Sequence, residues 1–189
     1  MATKIGIMGI EGSFSEEAAL EYAKDNKLDD IELVNLISSE NVLRDVETGD
    51  VDFGVFALEN SNGGVVYESI YAMAAHRFKV ADLFEIDVNQ TLLALPSLEG
   101  RENIDRIASH QQALRQCRMW LRHNFPTTLT TEETDTAESA RMLANGELPR
   151  STAVIAAERC AEIYGLEVIE RRIQDLKFNF TTFVAATRV

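Results

Sequence analysis

Short apolar runs of strand length alternate along this chain with helix-length segments that are apolar on one face only. Residues 4–8 read as a strand that runs into Gly9, Glu11, Gly12 and Ser13. A helix follows over 15–24, with Ala18, Ala19 and Tyr22 on one side. The same unit recurs as strand 33–37 with helix 40–47, then strand 53–58 with helix 65–75. Residues 79–88 and 90–95 break the rhythm: two extended segments with little helix between them, a hinge leading out of a first lobe. Strand–helix pairs resume at 104–108 with 111–124, 127–131 with 136–145, and 153–156 with 158–164, and residues 181–187 form a last strand. Alternation of this kind predicts an α/β fold with a largely parallel sheet. It divides into one lobe of about residues 1–80 plus 165–189 and a second of about 81–164. In such folds ligands collect where strand ends meet helix N-termini.

Four strand-to-helix junctions carry polar residues. In Gly12-Ser13-Phe14-Ser15-Glu16, Ser13-x-x-Glu16 has the spacing of a capping box, and the same free N–H groups suit an anion. Glu59-Asn60-Ser61-Asn62-Gly63-Gly64 follows an apolar strand, so Glu59 falls where burial begins and a carboxylate is costly unless hydrogen-bonded or functional. A polar turn with Asn60 or Ser61 as a cap is the competing reading. Ser109-x-x-Gln112 is again a capping-box spacing, with His110 between, and Asp135-Thr136-Ala137-Glu138 reads as a cap followed by a helix. Taken one at a time, none of these junctions rises above a helix cap.

Composition removes several classes of function. The chain has 189 residues and a formal net charge of −13, which opposes binding to nucleic acid phosphates and to anionic membranes. No apolar run approaches the roughly 20 residues that a membrane-spanning helix requires. The two cysteines, Cys117 and Cys160, lie in helix-like segments among apolar neighbours. With no disulfide framework and no secretion signal after Met1, a cytoplasmic location is expected. No His/Cys/Asp/Glu group has convincing metal-ligand spacing, so no metal is expected, and there is no dinucleotide or P-loop glycine motif.

Read together, the junctions are more specific than any one alone. Gly12-Ser13-Phe14-Ser15 with Ala18-Ala19 is followed by Glu59-Asn60-Ser61 with Gly64 and Val66. Then come Ser109-His110-Gln111-Gln112-Ala113-Leu114 with Gln116-Cys117, Asp135-Thr136-Ala137, and Ala156 and Glu158 leading to Tyr164-Gly165-Leu166. Ile173 and Asn179-Phe180-Thr181-Thr182-Phe183 close the set. In order and spacing this resembles the prephenate dehydratase family over nearly the whole chain. The resemblance implies two lobes around a cleft, similar to periplasmic binding proteins, with the active site in that cleft. Three positions depart from the family: Ala57 and Gln111 stand where it usually has proline, and Thr182 stands where its Thr-Arg-Phe signature has arginine. An Arg-to-Thr change removes a fixed cation and a fork of donors suited to carboxylates.

The implied activity is the decarboxylating dehydration of prephenate to phenylpyruvate, a carbon–oxygen lyase step of phenylalanine biosynthesis that needs no cofactor. By the same resemblance Thr181 hydrogen-bonds the leaving hydroxyl, and Glu59 and Asn60 organise the proton supply. Ser13, Phe14, Ser61, Ser109, Gln112, Thr136, Asn179 and Phe183 are the expected substrate-binding residues. The expected partner is this small molecule alone, acted on by a homo-oligomer, dimer or tetramer. Many relatives add an ACT or chorismate mutase domain; with the sequence ending at Val189, a free-standing catalytic domain is expected. Two other readings stay open: a prephenate-using enzyme of altered chemistry, such as a non-aromatising decarboxylase, and a non-catalytic binding or regulatory domain.

Overall fold

The computed structural model describes residues 2–189. In chain order its first elements are β1 (Thr3–Ile7), α1 (Phe14–Asp25), β2 (Ile31–Asn35), α2 (Ser39–Thr48), β3 (Phe53–Asn60), β4 (Gly64–Val65) and α3 (Tyr67–Ala75). Then follow β5 (Lys79–Asp87), β6 (Thr91–Ala94), β7 (Arg106–His110), α4 (Gln111–Gln116), α5 (Arg118–Asn124) and β8 (Leu129–Glu133). The last are α6 (Thr136–Ala144), β9 (Thr152–Ala156), α7 (Arg159–Tyr164), β10 (Glu167–Glu170) and β11 (Phe180–Thr187).

Two compact units result. The first comprises Met1–Asp87 with Phe180–Val189, the second Val88–Asn179. The chain thus changes unit later, at both crossings, than the sequence pattern suggests. Pairing explains the difference. Strand β5 is held along its whole length by β11, so residues 81–87 stay with the first unit. Strand β10 pairs with β6, which takes 165–179 into the second.

The first unit is a six-stranded sheet in the order β2-β1-β3-β11-β5, with β4 added to β3. On one face α2 and α3 close over Val42, Leu43, Phe56, Ala72, Val184 and Ala186, all buried. Gly54 lets α2 come close, since a Cβ there would lie 2.5 Å from the Val42 side chain. On the other face α1 contributes Tyr22, which meets Phe53 edge-on and stacks on Phe84, itself stacked on Phe183. Each such ring pair adds about 0.5–1.5 kcal/mol beyond area burial. The second unit is a five-stranded sheet, β10-β6-β9-β7-β8, whose core gathers Leu92, Ile107, Cys117, Leu121, Ile155 and Ile173.

Neither sheet is largely parallel as expected. Strand β1 runs parallel to β2 and β3, and β7 to β8 and β9, but β11, β5, β6 and β10 enter antiparallel. The strand expected at 33–37 is Ile31–Asn35, because Ile37 takes a φ of 70° and is 61% exposed. The single helix expected over 111–124 is broken at Cys117. There the Asp175 carboxylate accepts the N–H groups of Met119 and Trp120, both at 2.8 Å, and so caps a second helix from outside.

Candidate active site

Strand β11 places its side chains alternately on the two faces of the first sheet. Phe183 points into the aromatic stack under α1 and is 1% exposed, which makes it a packing residue rather than the expected substrate contact. By alternation Thr181 shares that face, while Thr182 faces the other way with Val184.

Thr181 is paired in register with Asn60 on β3. The Asn60 Nδ2 donates to the Thr181 hydroxyl oxygen at 2.8 Å and also contacts the Phe180 carbonyl at 3.2 Å. The Asn60 Oδ1 accepts from the N–H groups of Asn62 at 3.0 Å and Gly63 at 2.7 Å. The tight turn after β3 therefore fixes the carboxamide, and the carboxamide fixes the threonine. Because Thr181 accepts from Asn60, its own O–H proton is directed elsewhere as a donor. The exposed Ser61 closes the same turn: its Oγ accepts the Phe180 N–H at 3.0 Å, and its N–H donates to the Phe180 carbonyl at 2.8 Å.

Glu59 does not join this group. It is exposed and paired in register with Thr182, on the face opposite Thr181 and Asn60. Glu59 and Asn60, expected to organise the proton supply, thus lie on opposite faces of the sheet, because consecutive strand residues point apart. On the Thr182 side the row continues to Glu85 of β5, whose carboxylate accepts the Thr182 hydroxyl proton at 3.2 Å.

Ser13 is buried and caps α1, accepting the Glu16 N–H at 3.3 Å, and Phe14 opens the helix. The Glu16 carboxylate reaches back to the Gly12 N–H, and Glu17 adds a second acid to the first turn. Internal carboxylates thus already occupy the positive end of α1, as the capping reading requires.

In the second unit Ser109 is fully buried and donates to the Ile155 carbonyl at 2.6 Å, which ties β7 to β9. It is not the cap of α4. His110 is, with its Nδ1 accepting the Gln112 N–H at 3.3 Å. Gln112 is half-buried, in a first helical turn free of acidic residues. Thr136 is half-buried at the start of α6, where Asp135 caps the N–H groups of Ala137 and Glu138 at 2.8 and 3.0 Å.

Asn179 departs most from expectation: it is 0% exposed, and its Nδ2 donates to the Val88 carbonyl at 2.9 Å and to Gln116 Oε1 at 3.0 Å. Its carboxamide is engaged within the protein rather than presented to a ligand. Sequence reasoning left Gln116 and Gln90 without a role. Their contacts, 63 and 26 residues apart in the chain, leave no local signal.

Cys117 is no nucleophile, since burial first and the nearby Asp175 second push its thiol pKa far up. Among the described residues no group of three His, Cys, Asp or Glu side chains could hold a metal ion. Nor is any described helix long and apolar enough to cross a membrane.

Fold and site together define a mixed α/β protein of two units that carries a hydroxyl–carboxamide pair at the end of one sheet. Residues 5–188 match the model of the prephenate dehydratase family, and the chain belongs to that family. It is 33% identical to arogenate dehydratase/prephenate dehydratase 6, chloroplastic, of Arabidopsis thaliana over 98% of this chain and 43% of that one. It is 30% identical to the bifunctional chorismate mutase/prephenate dehydratase of Aquifex aeolicus over 98% of this chain and 49% of that one. The chain therefore spans less than half the length of these curated relatives. Its fold superposes on the prephenate dehydratase of Arthrobacter aurescens, solved in complex with L-Phe, with a TM-score of 0.88 and 25% identity. That match covers 99% of this chain and 61% of the other.

Proposed function

We propose that this chain is a prephenate dehydratase, converting prephenate to phenylpyruvate with loss of carbon dioxide and water. The observation that carries the reading is the 2.8 Å hydrogen bond from Asn60 to Thr181, within a chain of this family. In the reaction the bond between the ring and its carboxylate breaks and releases carbon dioxide. The electron pair moves through the ring, which becomes aromatic, and the ring C–O bond breaks at the opposite carbon. The departing hydroxyl needs a proton to leave as water. Thr181, with its oxygen held by Asn60, donates a hydrogen bond to that hydroxyl as the C–O bond lengthens. A threonine is a weak acid, so it acts as a positioned donor or relay rather than as the proton source.

The substrate is a dianion. Within the second unit Gln112 offers a neutral carboxamide in a helical turn that itself carries no acid. Several relatives are named arogenate dehydratases, so both substrates belong in the assay. The reading carries with it a cytoplasmic, homo-oligomeric enzyme whose partner is the small molecule alone, and light scattering of the purified protein tests the oligomeric state.

The decisive experiment is turnover of purified protein with the product identified by ultraviolet absorbance and mass. Phenylpyruvate from prephenate is expected, and Thr181→Ala should lower kcat by about a hundredfold with the fold intact. A native protein that binds prephenate without forming phenylpyruvate, or an alanine variant of unchanged kcat, overturns the assignment.

A further inference from the structure

Five carboxamides, those of Asn89, Gln90, Gln116, Gln174 and Asn179, form one largely buried hydrogen-bond network in the second unit, with Gln174 Nε2 donating to Asn89 Oδ1 at 3.0 Å. The Gln116 Oε1 accepts from Asn179 Nδ2 at 3.0 Å and from Gln90 Nε2 at 3.0 Å, while Gln116 Nε2 returns to Asn179 Oδ1 at 3.3 Å. The Gln90 N–H donates to Gln174 Oε1 at 3.1 Å, and its carbonyl accepts the Ile173 N–H at 3.0 Å. Gln90 is 4% exposed, Gln174 2% and Asn179 0%.

One backbone group orients the set. Asn179 Nδ2 must donate to the Val88 carbonyl, so Oδ1 turns to the Gln116 Nε2, and Gln116 Oε1 is left facing both remaining donors. Gln90 must then present its Nε2 to Gln116. The consequence falls on the Gln90 Oε1, which is buried and meets no protein donor. A buried carbonyl without a donor is destabilising, and its persistence in a network otherwise satisfied asks for a reason.

We infer that Gln90 is a positioning residue for the reaction: acting through Gln116, its carboxamide fixes Asn179 and with it the entry of the chain into the strand that carries Thr181. Asn179 is the last residue of its unit, its carbonyl accepts the Val88 N–H at 2.8 Å, and Thr181 lies two residues on. Gln90 touches no reacting atom. Its cost is one unpartnered carbonyl, and its effect is a second donor to the Gln116 Oε1 that holds Gln116 against Asn179. This inference rests on the proposed dehydratase reading for its kinetic part only.

Two variants of Gln90 test it. Gln90→Met keeps the length while removing both the donor and the unpartnered carbonyl. It should unfold at the same temperature as the native protein or higher, yet lose about tenfold in kcat, equivalent to about 1.4 kcal/mol, with KM within about twofold. Gln90→Glu keeps the shape but donates to Gln116 only when protonated, so its kcat should climb toward the native value as pH falls through the new carboxyl's titration. The methionine variant should lack that limb. Native kcat in Gln90→Met, or losses of kcat that track unfolding temperature with no recovery in Gln90→Glu at low pH, overturn the inference. Exchange of the Asn179 side-chain amide protons, followed by NMR, judges the clamp without any substrate. Exchange should be slow in the native protein and fast in Gln90→Met, and equal rates also overturn it. A native protein inactive on prephenate would instead overturn the functional reading.

Discussion

Thr182 stands where the family resemblance expects an arginine, and the register of β11 says what such an arginine would meet. Glu59 on β3 and Glu85 on β5 lie directly across from Thr182 on either side, and all three share the face turned away from Thr181. Cross-strand partners have Cβ atoms about 4.5–5.5 Å apart, well within reach of an arginine fork. An arginine here would therefore neutralise two carboxylates and brace the sheet, and it would not reach a ligand held by Thr181. Thr182→Arg is expected to raise the unfolding temperature by a few degrees at low salt, since exposed ion pairs contribute about 0.2–1 kcal/mol each. The gain should shrink in high salt. Turnover on prephenate should rise no more than about tenfold. Calorimetry and kinetics on the same two proteins decide, and a large gain in kcat at constant unfolding temperature would place the arginine at the substrate. The alternation behind this argument is readable from sequence alone; the identity of the two facing carboxylates is not, because it depends on which strands flank β11.

Elements are joined in this fold by a few side chains whose charge state depends on pH. His76, at the C-terminal end of α3, places Nδ1 2.8 Å from the Glu47 carboxylate and Nε2 2.8 Å from Glu40, both on α2. The hydrogen bond to Glu40 first, and that to Glu47 second, hold the imidazole pKa above its ordinary value. Glu47 is correspondingly lowered, chiefly by its hydrogen bond to His76, with Arg77 nearby. A raised histidine binds its proton more tightly when folded, so its stabilisation is complete below the unfolded value of about 6.5 and fades as pH rises through the folded one. Glu47 works in the opposite direction, and its stabilisation fades as pH falls below about 4.3. His76→Gln should thus cost most stability between about pH 5 and 6, and progressively less as pH rises through the folded histidine's titration. Urea titrations across that range measure the difference, and a cost independent of pH would mean that His76 acts by packing alone. The α2–α3 elements themselves were legible, as were the caps Ser13 and Asp135, because periodicity and capping are local. The direction of β5, β6, β10 and β11, the break at Cys117 and the Asp175 cap were not, since each is set by a partner far along the chain.

At the scale of the whole chain the dominant quantity is a formal charge of −13, set against a proposed substrate that carries two carboxylates. The fold does little to hide that charge near the expected binding residues. Glu17 is exposed in the first turn of α1, and Glu59 lies exposed beside Asn60. An encounter with the proposed dianion would therefore take place against a net negative charge, with short-range donors left to favour the bound state. Salt screens the first effect much more than the second. The screening length falls from about 30 Å at 0.01 M salt to about 8 Å at 0.15 M, whereas a hydrogen bond made in contact is hardly affected. Raising ionic strength over that range should increase kcat/KM on prephenate by a few fold and leave kcat nearly constant, the reverse of an electrostatically steered enzyme. Steady-state kinetics in sodium chloride at fixed pH measure it directly. A fall in kcat/KM with salt would show that a local cluster of cations governs substrate capture.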